Sequence, residues 1–166
     1  MERIISVIGE SLTSLEVYAD AERVGELLAQ NNVTVVCGGL TGVMEAVCKG
    51  AKSKNGRTIG ILPGNDRYSG NKYIDVPIIT GIGYARNSVV AKTGQVVIAI
   101  GGWFGTLCEI AFALDAEVPV IGLNTWDIYK NGERPEKGIL IANSPDEAVE
   151  IALKILEEIE QKHHGE

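Results

Sequence analysis

Short apolar runs alternate along the chain with longer stretches in which apolar residues recur every three or four positions. The runs at 3–8 (RIISVI), 33–37, 57–62, 76–80, 95–100 (QVVIAI), 118–122 and 139–142 read as strands. Residues 15–30, 43–54, 84–93 and 107–116 carry helical spacing; Val17, Val24, Leu27 and Leu28 form the apolar stripe of the first. A last amphipathic helix opens at Ser144, where a capping residue precedes Pro145 in the first turn and Glu147 completes a capping box. Thr13 with Glu16 and Thr106 with Glu109 repeat that spacing and predict two more helix starts. Residues 65–75 and 124–137 are polar enough to be loops.

Continuous apolar strands separated by helices predict a parallel sheet covered on both sides. A length of 166 residues fits one such domain. The expected fold is therefore α/β and Rossmann-like: a doubly wound, mainly parallel sheet in a single domain. Sheets of this kind bind ligands outside the carboxyl ends of their strands, where loops feed helix N-termini. Many of the twenty glycines fall at those ends, and one arrangement occurs twice. Gly38-Gly39-Leu40-Thr41-Gly42 precedes Glu45, and Gly101-Gly102-Trp103-Phe104-Gly105 precedes Glu109.

A net charge of -7 repels nucleic acid and anionic membrane, so neither is an expected partner. An anion site on this chain has to be local, built from backbone amides and one or two cations. Cys37, Cys48 and Cys108 match neither a metal-ligand pair nor a disulfide framework and read as core residues of a cytoplasmic protein. No metal site and no resident cofactor are expected. His163 and His164 read as part of a frayed polar tail. No apolar run reaches the roughly 20 residues that span a bilayer.

The strongest chemical signal is residues 97–110, VIAIGGWFGTLCEI. A buried strand enters glycines and then a helix expected to start near Thr106, whose free amides and dipole favour an anion. Gly102, Gly105 and Thr106 are the candidate phosphate cradle, with Gly38, Gly39 and Gly42 as its counterpart after the second strand. Thr106 and Glu109 also read simply as a cap and its capping-box partner. Arg86 lies near the start of the helix after Thr80-Gly81-Ile82-Gly83, where the dipole disfavours a cation unless an anion offsets it. Neither a G-x-x-x-x-G-K-[ST] loop nor a G-x-G-x-x-G turn after the first strand is present, which argues against P-loop nucleotide hydrolysis and ordinary dinucleotide binding. Tyr68, Tyr73, Trp126 and Tyr129 fall in loops, as candidates either to stack on a base or to cover the core edge.

VVCGGLTGVMEAV (35–47), GILPG (60–64), Arg86 and GTLCE (105–109) resemble the LOG family, the cytokinin riboside monophosphate phosphoribohydrolases once mislabelled lysine decarboxylases. The resemblance runs from the first strand to about Gly122, and the family pattern P-G-G-x-G-T-x-x-E aligns without gaps onto 101–109. It implies a Rossmann-like homodimer that releases a free base and ribose 5-phosphate, with Arg86 and Glu109 catalytic. The helices holding Cys48 and Cys108 are candidates for the dimer contact. Four positions depart from the pattern: its proline is Gly101, its second glycine is Trp103, and its E-R-K reads Ala85-Arg86-Asn87. A related branch includes a molybdenum cofactor carrier that binds a phosphorylated ligand without cleaving it.

Two readings follow. In one, the chain is a nucleoside 5′-monophosphate phosphoribohydrolase, an N-glycosidase in which Glu109 stabilises an oxocarbenium-like centre and Arg86 offsets charge on phosphate or departing base. In the other, the same cradle belongs to a non-catalytic nucleotide- or cofactor-binding carrier. The retained Arg86 and Glu109 place the enzyme first, with the carrier as the alternative.

Overall fold

A computed structural model describes residues 1–164, with side chains through 162. Seven strands form one sheet in the order β4-β3-β2-β1-β5-β6-β7, every pairing parallel. The strands are β1 (Ile4–Gly9), β2 (Thr34–Cys37), β3 (Thr58–Leu62), β4 (Val76–Ile79), β5 (Val96–Ile100), β6 (Val120–Leu123) and β7 (Leu140–Ala142). The helices are α1 (Leu15–Gln30), α2 (Val43–Ser53), α3 (Asn87–Thr93), α4 (Phe104–Asp115) and α5 (Pro145–His164). The fold is the Rossmann-like α/β domain that the alternating pattern predicts.

Period-two alternation within apolar strands divides the core between the two faces of the sheet. Ile5 and Val7 of β1, and Val96, Ile98 and Ile100 of β5, join one cluster with buried residues of α1, α2 and α5. Ile8, Val97 and Ala99 join the other, with Val90 and Ala91 of α3 and Ile110 and Ala113 of α4. Ser6 also faces that second layer, where its hydroxyl donates to the Val90 carbonyl at 2.6 Å. Cys48 is buried 3.5 Å, sulfur to sulfur, from Cys37, whereas Cys108 is exposed on α4. Cys48 therefore belongs to the interior and cannot contribute its thiol to a surface contact.

Helix starts follow local chemistry more closely than the T-x-x-E spacing suggests. Ser14, not Thr13, caps α1, accepting from the Val17 amide at 3.2 Å. Ser144 accepts from the Glu147 amide at 3.1 Å, while the Glu147 carboxylate takes the Asn143 amide at 2.7 Å. The helix expected from Tyr84 starts instead as a 3-10 turn, Gly83–Arg86, and becomes α-helical only at Asn87. α5 extends through the backbone of His163 and His164, so the expected frayed tail is helical up to that point. Among the described residues, no helix is long and apolar enough to cross a membrane, and no group of three or more His, Cys, Asp or Glu is placed to hold a metal ion.

The strand order reverses direction around β1. β2 lies on one side and β5 on the other, and the crevice between their outgoing loops is the ligand position of this architecture.

Candidate functional site

The turn after β5 is built by its two glycines. Gly102 has φ +106°, and a Cβ there would lie 2.5 Å from both the Cβ and Oγ1 of Thr106. Only a residue without a side chain fits this conformation and this approach. Trp103 is extended, so α4 begins at Phe104, earlier than expected, with no side-chain cap. Its first turn closes with the Leu107 amide on the Trp103 carbonyl at 3.0 Å, so the amides of Phe104, Gly105 and Thr106 precede that ladder. Thr106 is thus inside the helix and 3% exposed rather than at its cap, and Glu109 is no capping-box partner.

Arg86 and Glu109 come together from the turn before α3 and the middle of α4. Arg86 is 6% exposed and Glu109 7%, with Nη1 3.9 Å from Oε1. That separation lets the charges attract but is too long for a hydrogen bond. The guanidinium donates instead to the Asn87 side chain and, at 3.2 Å, to the Gly38 carbonyl. A Cβ at Gly38 would lie 2.7 Å from Arg86 Nη2, so the glycine is what admits the arginine beneath the β2 turn. Burial pushes the Glu109 carboxyl up to about 7 and the Arg86 guanidinium down, and their attraction opposes both shifts. The buried Nε of Arg86 finds no hydrogen-bond partner among the described residues.

Gly38, Gly39 and Gly42 follow β2. There the Gly39 amide donates to the Cys37 sulfur at 3.3 Å, and the first amide of α2, Val43, is taken by the Glu10 carbonyl at 3.0 Å. Across the sheet, an open cleft of about 530 Å³ lies over the ends of β1, β5 and β6, lined by Glu10, Gly101, Gly102, Trp103 and Trp126 among others. Thr125 fastens its rim by donating to the Gly101 carbonyl, and the Trp126 indole donates to the Trp103 carbonyl at 3.2 Å. The sequence-predicted residues therefore divide between a buried ion pair, Arg86 with Glu109, and the open turn at Gly102.

Of the four loop aromatics, only Trp126 lines this cleft. Tyr73 packs against the core, Tyr68 borders a separate concavity of about 420 Å³ that also includes Arg67 and Lys72, and Tyr129 lies beside Arg134. Sequence reasoning missed Glu10 and Asn87. Glu10 was findable, because it directly follows the central strand, where this architecture places ligand contacts. Asn87 stood out in the sequence only as a departure from the family pattern, and its role is the side-chain contact with the adjacent Arg86.

The SLOG cluster4 family model matches residues 2–149. An uncharacterized protein of Archaeoglobus fulgidus is 39% identical over 145 residues, covering 87% of this chain and 91% of its own. The structure of the molybdenum cofactor binding protein from Rippkaea orientalis superposes with a TM-score of 0.85 at 34% identity, over 94% of this chain and 98% of that one. The molybdenum cofactor carrier protein of Chlamydomonas reinhardtii gives 0.81 at 30% identity, over 93% and 99%.

Proposed function

The chain belongs to the SLOG cluster4 family, and from that premise we propose that it binds and carries a phosphorylated cofactor of the molybdenum cofactor class, as cargo and without cleaving it. The observation that carries this reading is the separation of the ion pair from the open site. Arg86 and Glu109 are sealed beneath the β2 and β5 turns, with the guanidinium already committed to Asn87 and Gly38. A catalytic carboxylate and its partner need to reach the bond they act on. Here the accessible surface is instead the β5 turn, the uncapped start of α4 and the aromatic rim. Gly105 and Thr106 hold the phosphate end in this proposal, using amides that precede the α4 ladder, and Gly102 shapes the turn beside them. Arg86 and Glu109 brace the floor of the site.

The phosphoribohydrolase reading rests on the same two residues, so one experiment separates the readings. Purified protein is incubated with a panel of nucleoside 5′-monophosphates and assayed for free base and ribose 5-phosphate. In parallel it is loaded with molybdenum cofactor, gel-filtered and assayed for retained molybdenum. Stoichiometric retention without base release is the expected result. Base release that disappears in Glu109→Gln would overturn the carrier reading. The proposal includes a homodimer through the surface of α3 and α4, where Val89, Phe104 and Phe112 are exposed.

A further inference from the structure

Two thiols eleven positions apart in the chain meet in the interior. Cys37 ends β2 and Cys48 lies midway along α2, and the turn between them folds the helix back over the strand. Their sulfurs stand 3.5 Å apart, one thiol donating to the other, and both side chains are fully buried. A disulfide holds its sulfurs at about 2.05 Å, so closing this pair takes a contraction of about 1.5 Å.

Cys37 differs from an inert core thiol. The Gly39 amide donates to its sulfur at 3.3 Å, and the adjacent Gly38 carbonyl receives the Arg86 guanidinium at 3.2 Å. The Cys48 thiol, the Gly39 amide and the Arg86 charge hold the Cys37 thiol below its ordinary value against the effect of burial. Cys48 is pushed the other way, by its bond to Cys37 and by burial. An electron-rich sulfur beside a protonated one suits attack by the first and resolution by the second.

We propose that Cys37 and Cys48 are a redox-active pair: hydrogen peroxide closes them into a reversible disulfide, which moves the turn that holds Arg86. The Cys37 thiolate attacks one peroxide oxygen, forming S–O as O–O breaks, and the hydroxide released takes the Cys37 proton as water. Cys48 then attacks the Cys37 sulfur; S–S forms, S–O breaks, and the departing hydroxide leaves as water with the Cys48 proton. The two thiols lose two electrons, and the peroxide becomes two waters. Peroxide, little larger than water, reaches Cys37 through opening of the Gly38-Gly39 turn. Closure shifts that turn because Cys37 is joined to Gly38 through the chain and to the Gly39 amide through its sulfur.

The test uses the folded full chain carrying Cys108→Ser, which removes the exposed thiol. Peroxide-treated and untreated protein are quenched with acid, alkylated in urea and digested with trypsin, which leaves Cys37, Met44 and Cys48 in one peptide, 24–49. Both alkylation sites are expected to be lost together and restored by dithiothreitol. In Cys48→Ala the reaction should stop at a sulfenic acid on Cys37 that dimedone captures. In Cys37→Ala the remaining Cys48 should oxidise about tenfold or more slowly than the pair. Amide resonances of Gly38 and Gly39 should move between the two states and return on reduction. Oxidation at Met44 alone would leave both thiols open to alkylation and overturn the proposal. A disulfide that forms only in the unfolded chain, or unmoved Gly38 and Gly39 resonances, would overturn it as well.

Discussion

Arg86 Nη1 stands 3.9 Å from Glu109 Oε1, and neither side chain has more than a tenth of its surface exposed. The pair is joined by charge and lacks a direct hydrogen bond, which makes it costly to bury. Desolvation outweighs the mutual attraction in both groups, raising the acid and lowering the base.

Stability should therefore fall as pH rises through this carboxyl. Below its ordinary value of 4.5 Glu109 is protonated in both folded and unfolded chains; from there to about 7 the unfolded chain ionises first. Its contribution is present at low pH and lost through the folded value. Glu109→Gln removes that dependence, so the unfolding free energy of wild type relative to the variant should drop by roughly 3 kcal/mol between pH 4.5 and 8. Urea unfolding of both proteins at those pH values measures it. Parallel profiles would mean that Glu109 titrates in the ordinary range.

Removing only the cation should be worse than removing both charges. Arg86→Met strands Glu109 in the interior, with an expected loss of about 3–5 kcal/mol at pH 8 and less at pH 5, where the acid is neutral. Adding Glu109→Gln should recover a substantial part of the loss. A strictly additive double variant would show that the two charges do not interact.

The β5 turn depends on Gly102. Gly102→Ala places a methyl group against Thr106 at a φ of +106°, and should cost about 1–3 kcal/mol. It should also abolish quenching of tryptophan by cargo, while Gly105→Ala, with nothing within 4 Å of its added Cβ, should fold normally. Thermal melts beside a ligand titration distinguish the two. An unchanged melting temperature for Gly102→Ala would remove the steric argument.

Most of the scaffold is legible because both of its periods are local. Alternating apolar runs mark the strands, and the β5 run VVIAI is buried throughout. The glycines after it are likewise visible as a turn. The T-x-x-E at Thr106 misleads because capping depends on where the chain leaves extended geometry, and Trp103 turns into the helix before Thr106 is reached. The contact of Arg86 with the Gly38 carbonyl joins loops 48 residues apart, which no local pattern encodes. Glu10 is findable from its place after the central strand, but its contact with Gly102 arises only when β5 is placed beside β1.

The surface of α3 and α4 leads to the last prediction. Phe104, Phe112 and Val89 remain exposed on two helices that pack side by side, and Cys108 is exposed on the same element as both phenylalanines. A second copy is the occupant implied by the family resemblance, and covering this face would remove apolar area from water at about 25 cal/mol per Å². The isolated chain should therefore run at twice the monomer mass in light scattering at micromolar concentration. Phe112→Lys would place a charge at the centre of that contact and should give monomers with an unchanged circular dichroism spectrum, because Phe112 lies outside both core clusters. If dimerisation completes the cargo site, the monomeric variant should also lose retained molybdenum. A wild-type monomer across the concentration range would remove the dimer, and a Phe112→Lys dimer would move the contact to another face.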